Sequence, residues 1–530
     1  MSQKHFDKSI TMVPRVIFIA LIFYLVGCAE RDALEQAGHF ETFDEGEGEI
    51  PGEGIPNAEL SDENIASALS TEFILDPAIP YNQLDIDVSD GIVTLKGEMS
   101  HLLAKQRAAR LAKTVKGVRS VIDKLEVAPA SAVPDAELAD RIDKALFRDP
   151  ATDAYELVVS VRDGIATLTG KVQSISEKQL AENVAAGVVG VRSINNLINI
   201  SPEEDRPDSE IKPEIEASLR FDTHIDHALV RVAVDNGSVT LTGTVGSAAE
   251  KLWATNIASS VGGVVFVDNS RLKVEKWARD PMLRGDKYVI KDESVIEQAL
   301  RDTFKRDPRL NHFEIAPVIE DGIVVLQGME DNLKAKRAAA RDARNTVGVH
   351  WVKNHIQVRP TEEIKDKEIA RAVEQALEIA LDVSRHDVSV MVVNRRVYLS
   401  VGVDSQFEKA RIDDIVSKTR GVAAIHNNLE VEDVNSVYTY SPYVDDRDPI
   451  DYKYRSTRNG AYANDPQIRH EIKHNISWNP FLNSEDIRIV VVKSVATLYG
   501  EAGSFAEWRA AAEAAYKGGA VDVNNKLSIE

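Results

Sequence analysis

An eight-residue stretch, Asp90-Gly91-Ile92-Val93-Thr94-Leu95-Lys96-Gly97, recurs down this chain at a nearly fixed pitch. Further copies run Asp163 to Gly170, Asn236 to Gly243 and Asp321 to Gly328, and two degenerate copies end at Gly402 and Gly500. Each copy has a second glycine downstream. Gly97 to Gly117, Gly170 to Gly190, Gly243 to Gly263 and Gly328 to Gly348 are 20 apart, and Gly402 to Gly421 and Gly500 to Gly519 are 19 apart. An aspartate opens each copy before an amphipathic run: Asp62, Asp135, Asp208, Asp292, Asp366 and Asp465. Internal duplication of this kind restricts the chain to an array of small like units, an architecture that suits adaptors and scaffolds.

The first copy shows what one unit folds into. Ile65, Leu69 and Phe73 follow Asp62 at helical spacing, which suits that aspartate to an N-cap. Leu84, Ile86 and Val88 then alternate as a strand, Asp90-Gly91 marks a tight turn, and Ile92, Val93 and Leu95 return. Ala104, Ala108, Leu111, Ala112 and Val115 give a second helical face, which Gly117 is expected to cap, before a last strand through Val118, Val121, Leu125 and Val127. The expected fold class is α+β. Each unit is α-β-β-α-β, a three-stranded mixed sheet with two helices joined by a right-handed crossover.

These residues and spacings resemble the BON domain, a small module of bacterial envelope proteins. The likeness covers units at 61–128, 134–201, 207–275, 291–359, 365–432 and 464–530. Units 5 and 6 depart from it, because Arg395-Arg396 and Lys493-Ser494 stand where the turn pair belongs; the turn signal is missing there, while the helices and second glycines persist. In two-unit BON lipoproteins, the resemblance implies, one unit contacts anionic phospholipid through a helix. It implies no cofactor.

The N-terminus reads as a targeting segment. Lys4, Lys8 and Arg15 precede an apolar run from Val16 to Val26 that is too short to span a bilayer. The run ends Leu25-Val26-Gly27-Cys28, which resembles a lipobox, so residues 1–27 are expected to leave and the one cysteine of the chain to carry lipid. Ala29 after it points to the outer membrane, periplasmic face, with the inner membrane or cell surface as alternatives. Residues 28–60 hold eight glutamates, two aspartates and one arginine, and read as a disordered tether. A lone cysteine excludes a disulfide framework. The net charge of -22 argues against nucleic-acid binding.

Two insertions break the pitch, at 276–290 and 433–463. The second carries Tyr438, Tyr440, Tyr443, Tyr452, Tyr454 and Tyr462, and reads as a segment that packs across its neighbours or contacts an envelope protein. His470-Glu471-Ile472-Lys473-His474 matches a zinc-protease pattern. With Ile468, Ile472 and Ile476 inward, however, both histidines face solvent, and neither catalysis nor a metal is expected. Thr223-His224-Ile225-Asp226-His227 reads as a solvated loop, and the basic run Lys334, Lys336, Arg337, Arg341, Arg344 as a solvated face, with a milder version at Lys105, Arg107, Arg110 and Lys113.

The candidate site is the first helix of unit 6. Arg469, His470, Lys473 and His474 form a basic stripe, and Trp478 and Phe481 follow it, a combination suited to an anionic membrane interface. The expected function is therefore non-enzymatic: a lipid-anchored protein whose units bind anionic phospholipid, at the end distal to the anchor, or envelope proteins. Alternatives are a stress protein that holds unfolded clients and a structural spacer in an envelope or secretion assembly.

Overall fold

The computed structural model describes residues 54–529 apart from 77, 129–132, 153–154, 203–204, 280–291, 311–314, 361, 381–387, 405 and 432–463. Cys28, the acidic segment up to residue 53 and the tyrosine-rich insertion lie outside the described residues. From Gly54 onward the chain forms one compact body.

The fold is α+β and repeats six times. The first helices are Asp62–Leu75, Asp135–Arg148, Asp208–Phe221, Glu293–Arg306, Asp366–Ile379 and Asp465–Trp478, each of 14 residues. The second helices are Leu102–Lys113, Ile175–Ala186, Ala248–Ser260, Leu333–Arg344, Gln406–Lys418 and Phe505–Lys517. In unit 1 the strand Ile92–Met99 is central, antiparallel to Leu84–Ser89 and parallel to Ser120–Val127. Alternation puts Val93 and Leu95 under the helices, where Ile65, Leu69, Phe73 and Ala108 complete a core. Each unit has a core of this kind.

Five of the six opening aspartates are not N-caps. Ser61 caps the first helix of unit 1, and Asp62 is its first residue. The Asp62 carboxylate instead reaches the hairpin turn, where Oδ2 accepts from the Asp90 amide (2.7 Å) and Oδ1 from the Gly91 amide (2.8 Å). Both turn residues have positive φ, which turns their amides to the same side. Asp135, Asp208, Asp366 and Asp465 make the same pair of bonds. In unit 4 two neighbouring residues share these roles, since Asp292 caps the helix and Glu293 accepts from the Asp321 amide.

The hairpins of units 5 and 6 are regular although the glycine-containing turn pair is missing. The unit 5 turn is Asn394-Arg395, one residue earlier than the sequence suggested, with φ of 51° and 63°. The unit 6 turn, Lys493-Ser494, has the same values. The aspartate clamp holds Arg395, Lys493 and Ser494 there, residues that do not favour this conformation. Unit 5 also loses its first glycine. Counted from the turn, the equivalent of Gly97 is Val401, at φ 106°, and not Gly402. At Gly97 an added Cβ would lie 2.0 Å from the Gln83 carbonyl oxygen, so the glycine is there to let two backbones touch. Gly117 does not cap its helix, which ends at Lys113; its φ of 91° carries the chain close over Ile65.

The units are not strung out as beads. Unit 1 places Leu102, at the start of its second helix, in the core of unit 2. Unit 2 places Ile175 against the core of unit 3, and unit 3 returns Ala248 to the core of unit 1. Three like joints thus close units 1, 2 and 3 on one another. The same joint sets Leu333 of unit 4 into the core of unit 5, and Phe505 of unit 6 meets Trp351 of unit 4 edge-on at 5.4 Å. A second kind of joint links the two triplets, through the end of a first helix and the loop carrying another unit's second glycine. The Val347 amide donates to Phe221 O (2.8 Å) and the Lys116 amide to Trp478 O (3.0 Å), while Val188 bridges Ala380. Units 3 and 4, 6 and 1, and 2 and 5 are paired in this way.

Candidate functional site

The stripe on the first helix of unit 6 divides in two. Arg469 and His470 are exposed and Lys473 is half-buried. The remainder faces inward. Trp478 packs against the core of unit 1, and Phe481 is buried, with its ring edge-on to His224 of unit 3 at 5.4 Å. His474 lies 6.2 Å from Trp478, and burial holds its imidazole below the ordinary value against the opposing pull of Glu471 and Glu72. The expectation that both histidines face solvent therefore fails for His474. The two aromatics expected at a membrane surface are used to fasten unit 6 to units 1 and 3, because an exposed pair of such rings next to an unfilled joint is less stable than a filled joint.

The starting point of the described chain adds to this picture. Ile55 is 1% exposed and belongs to the core of unit 6, and its amide donates to Ser484 O (3.1 Å). Asn57 donates to Glu485 and accepts from Lys116 of unit 1. Residues 54–60, expected to be the end of a disordered tether, are thus part of the body. Ile55 is an apolar residue in an acidic stretch and has a core to enter. The chain thus enters the body through residues 54–57 at its last unit.

The other basic faces also turn inward. Lys334 Nζ lies 2.8 Å from Asp414 Oδ1, and Arg337 lies 2.5 Å from Asp413 Oδ2, both across the joint between units 4 and 5. Arg107 is buried, paired with Asp76 at 2.7 Å and stacked over Phe407 of unit 5 at 5.5 Å. The run expected to be a solvated face is therefore largely an inter-unit seam. The Thr223 to His227 stretch is likewise no solvated loop. Thr223, His224, Ile225 and Asp226 are buried; the Thr223 amide donates to Asn345 O of unit 4, and the Asp226 amide to Glu250. Sequence periodicity within one unit carries no signal for contacts of this sort, since they depend on which units meet.

Among the described residues no group of His, Cys, Asp and Glu has metal-binding geometry. In the same residues no helix is long and apolar enough to cross a membrane. Fold and surface together define a six-unit α+β repeat protein closed on itself through its second helices and loops. A family model for the BON domain matches residues 61–129, 134–202, 207–276, 292–360, 365–433 and 464–530, and the chain belongs to that family. It is 27% identical over 143 residues to osmotically-inducible protein Y of Escherichia coli, covering 26% of this chain and 71% of that protein. It is 28% identical over 150 residues to the outer membrane lipoprotein DolP of Haemophilus influenzae, covering 27% of this chain and 75% of that one. A solved structure of CdsD, a structural protein of the type III secretion system of Chlamydia trachomatis, aligns over 43% of this chain and 94% of its own at 15% identity, with a TM-score of 0.12.

Proposed function

We propose that this is a non-enzymatic envelope protein, anchored through lipid on Cys28, whose six-unit body rests against the membrane that holds it. The insertion of Ile55 into the core of unit 6 carries this reading. It brings the chain from the anchor to the same unit that presents Arg469, His470 and Lys473. Residues 29–53 are 25 in number and acidic in composition, and a flexible chain of that length would reach on the order of 30 Å, which would keep those side chains within one tether length of the headgroups. Arg469 and Lys473 near an anionic surface contribute about 1 kcal/mol each, a weak binding of the body that the tether reinforces. The likeness to an outer membrane lipoprotein supports both the anchor and the compartment.

The test uses the chain from residue 28 onward without lipid, floated with vesicles. Binding to phosphatidylglycerol vesicles and not to phosphatidylcholine vesicles is expected, with loss on Arg469→Glu plus Lys473→Glu. Equal binding to both vesicles, or binding unchanged in the double variant, would overturn the phospholipid reading.

A further inference from the structure

Units 1, 2 and 3 close on one another around a space of about 420 Å³, lined by their second helices and by unit 4. Arg110, Asn183 and Asn256 hold the same position in those three helices, 73 residues apart in succession, and all three line the space. Other seams are closed by ion pairs: Lys334 to Asp414 and Arg337 to Asp413 between units 4 and 5, and Lys517 to Glu72 between units 6 and 1. This one is left open, and four side-chain amides face it: Gln179, Asn183, Asn256 and Asn345. Asparagine is a weak helix former, so Asn183 and Asn256 do not serve their helices. Nor do they serve packing. Asn196, Asn354, Asn427 and Asn525 each donate to a second-helix carbonyl, at 3.0, 2.7, 3.0 and 2.6 Å. Among the described residues the four amides of the space make no side-chain hydrogen bond to the protein.

Two further features describe what fits. The charged walls are matched: Arg309 pairs with Asp307, Arg306 lies 3.8 Å from Glu214, and Arg110 and Arg341 have interactions of their own, so the space does not call for an ion. Asp342 Oδ2, on the unit 4 wall, is buried without a hydrogen-bond partner, a state that costs free energy until a polar group fills it. Apolar strips of Leu180, Leu252 and Ile257 run between the amides, beside Trp253, whose indole N–H donates to Asp222 Oδ2 at 3.1 Å and so fixes the ring.

We propose that this space binds a neutral polyhydroxyl molecule of disaccharide size, with its hydroxyls on Gln179, Asn183 and Asn256 and its C–H face on Trp253. An amide offers both a donor and an acceptor, and so does each hydroxyl, while the apolar strips suit the carbon face of a sugar ring. The volume lies in the range of small-molecule sites. The ligand would touch units 2 and 3 at once, so binding stabilises the closed ring by mass action. The site is independent of the membrane reading, whose side chains are on unit 6.

The test is calorimetric titration of the chain from residue 28 with maltose, sucrose and hexanediol. Maltose or sucrose is expected to bind saturably and hexanediol is not. Asn183→Leu and Asn256→Leu are each expected to lower that affinity at least fivefold while circular dichroism and melting temperature stay unchanged. Both residues are exposed and make no side-chain bond within the described protein, so these variants fold. Asn195→Leu, an exposed asparagine outside the space, should leave binding as it was. No saturable binding of either disaccharide, binding that survives both cavity variants, or an equal loss in Asn195→Leu would overturn the proposal and leave the space to solvent.

Discussion

Asp465 and Ser494, 29 residues apart, are joined by a hydrogen bond in which the Ser494 amide donates to Asp465 Oδ1 at 2.8 Å; the neighbouring Lys493 amide donates to Oδ2 at 2.9 Å. Neither Lys493 nor Ser494 is a turn residue by propensity, yet both hold positive φ. The clamp therefore fixes the turn, and the turn residues can vary. Asp465→Ala removes two charge-assisted bonds from a partly exposed site, a loss of about 2–3 kcal/mol. Amide exchange should accelerate first at Lys493 and Ser494. Acceleration confined to the first turn of the helix from Asp465 would mean that the aspartate acts as an ordinary cap.

Val401 predicts a gain. A β-branched residue at φ 106° costs about 1–3 kcal/mol, and this one is 47% exposed, so it returns little by packing. Val401→Gly restores the residue found at the same place in unit 1 and should raise the melting temperature, whereas Val401→Ala, still at positive φ, should not. A lower melting temperature for the glycine variant would show that the valine side chain contributes to the body.

Much of each unit was legible in the sequence, because helix period, strand alternation and turn pairs are local signals and six copies repeat them. Ile65, Leu69 and Phe73 fill the core as their spacing indicates. Two kinds of contact were not legible. The clamp from Asp62 to Gly91 spans 29 residues, and an aspartate before a helix gives the same pattern whether it caps or reaches away. The joints depend on the partner: Lys334 looks like a solvated lysine until Asp414 stands across from it. For the same reason Trp478 and Phe481 resembled membrane anchors in a lone helix. In the assembled body they belong to its joints.

That reassignment separates stability from lipid binding. Phe481→Ala empties a buried site and should cost about 3–5 kcal/mol, with unit 6 the first to show it. Its effect on vesicle binding should be small at temperatures where the protein stays folded. Loss of anionic vesicle binding by the folded Phe481→Ala protein would return the aromatic to the membrane.

Asp342 gives a pH signature. Burial first, and then the charge of Asp307, push its carboxyl well above the usual carboxylate range, while Arg309 pairs with Asp307. The folded state therefore keeps a proton that the unfolded chain releases near pH 4. That stability is fully present below about pH 4 and is lost as pH rises through the folded value. Asp342→Asn should be more stable than the natural protein at pH 8, with the difference shrinking toward pH 4. Urea midpoints that differ by a constant across this range would rule out titration of Asp342 as the cause.

Ile55 links the two ends of the chain. Its side chain sits among Ile468, Ile472 and Leu498, so unit 6 lacks part of its core whenever residues 54–57 are missing. Ile55→Ala should cost about 2–4 kcal/mol, a large effect for a residue that reads as part of a linker. Deleting residues 54–57 should also remove the Asn57 contact of Lys116 and loosen the joint between units 1 and 6. Amide exchange across Asp465–Trp478 reports the first effect, and exchange at Lys116, whose amide donates to Trp478 O, reports the second. Unchanged protection at both places after the deletion would detach the N-terminal segment from unit 6 and remove the basis for placing that unit beside the anchor.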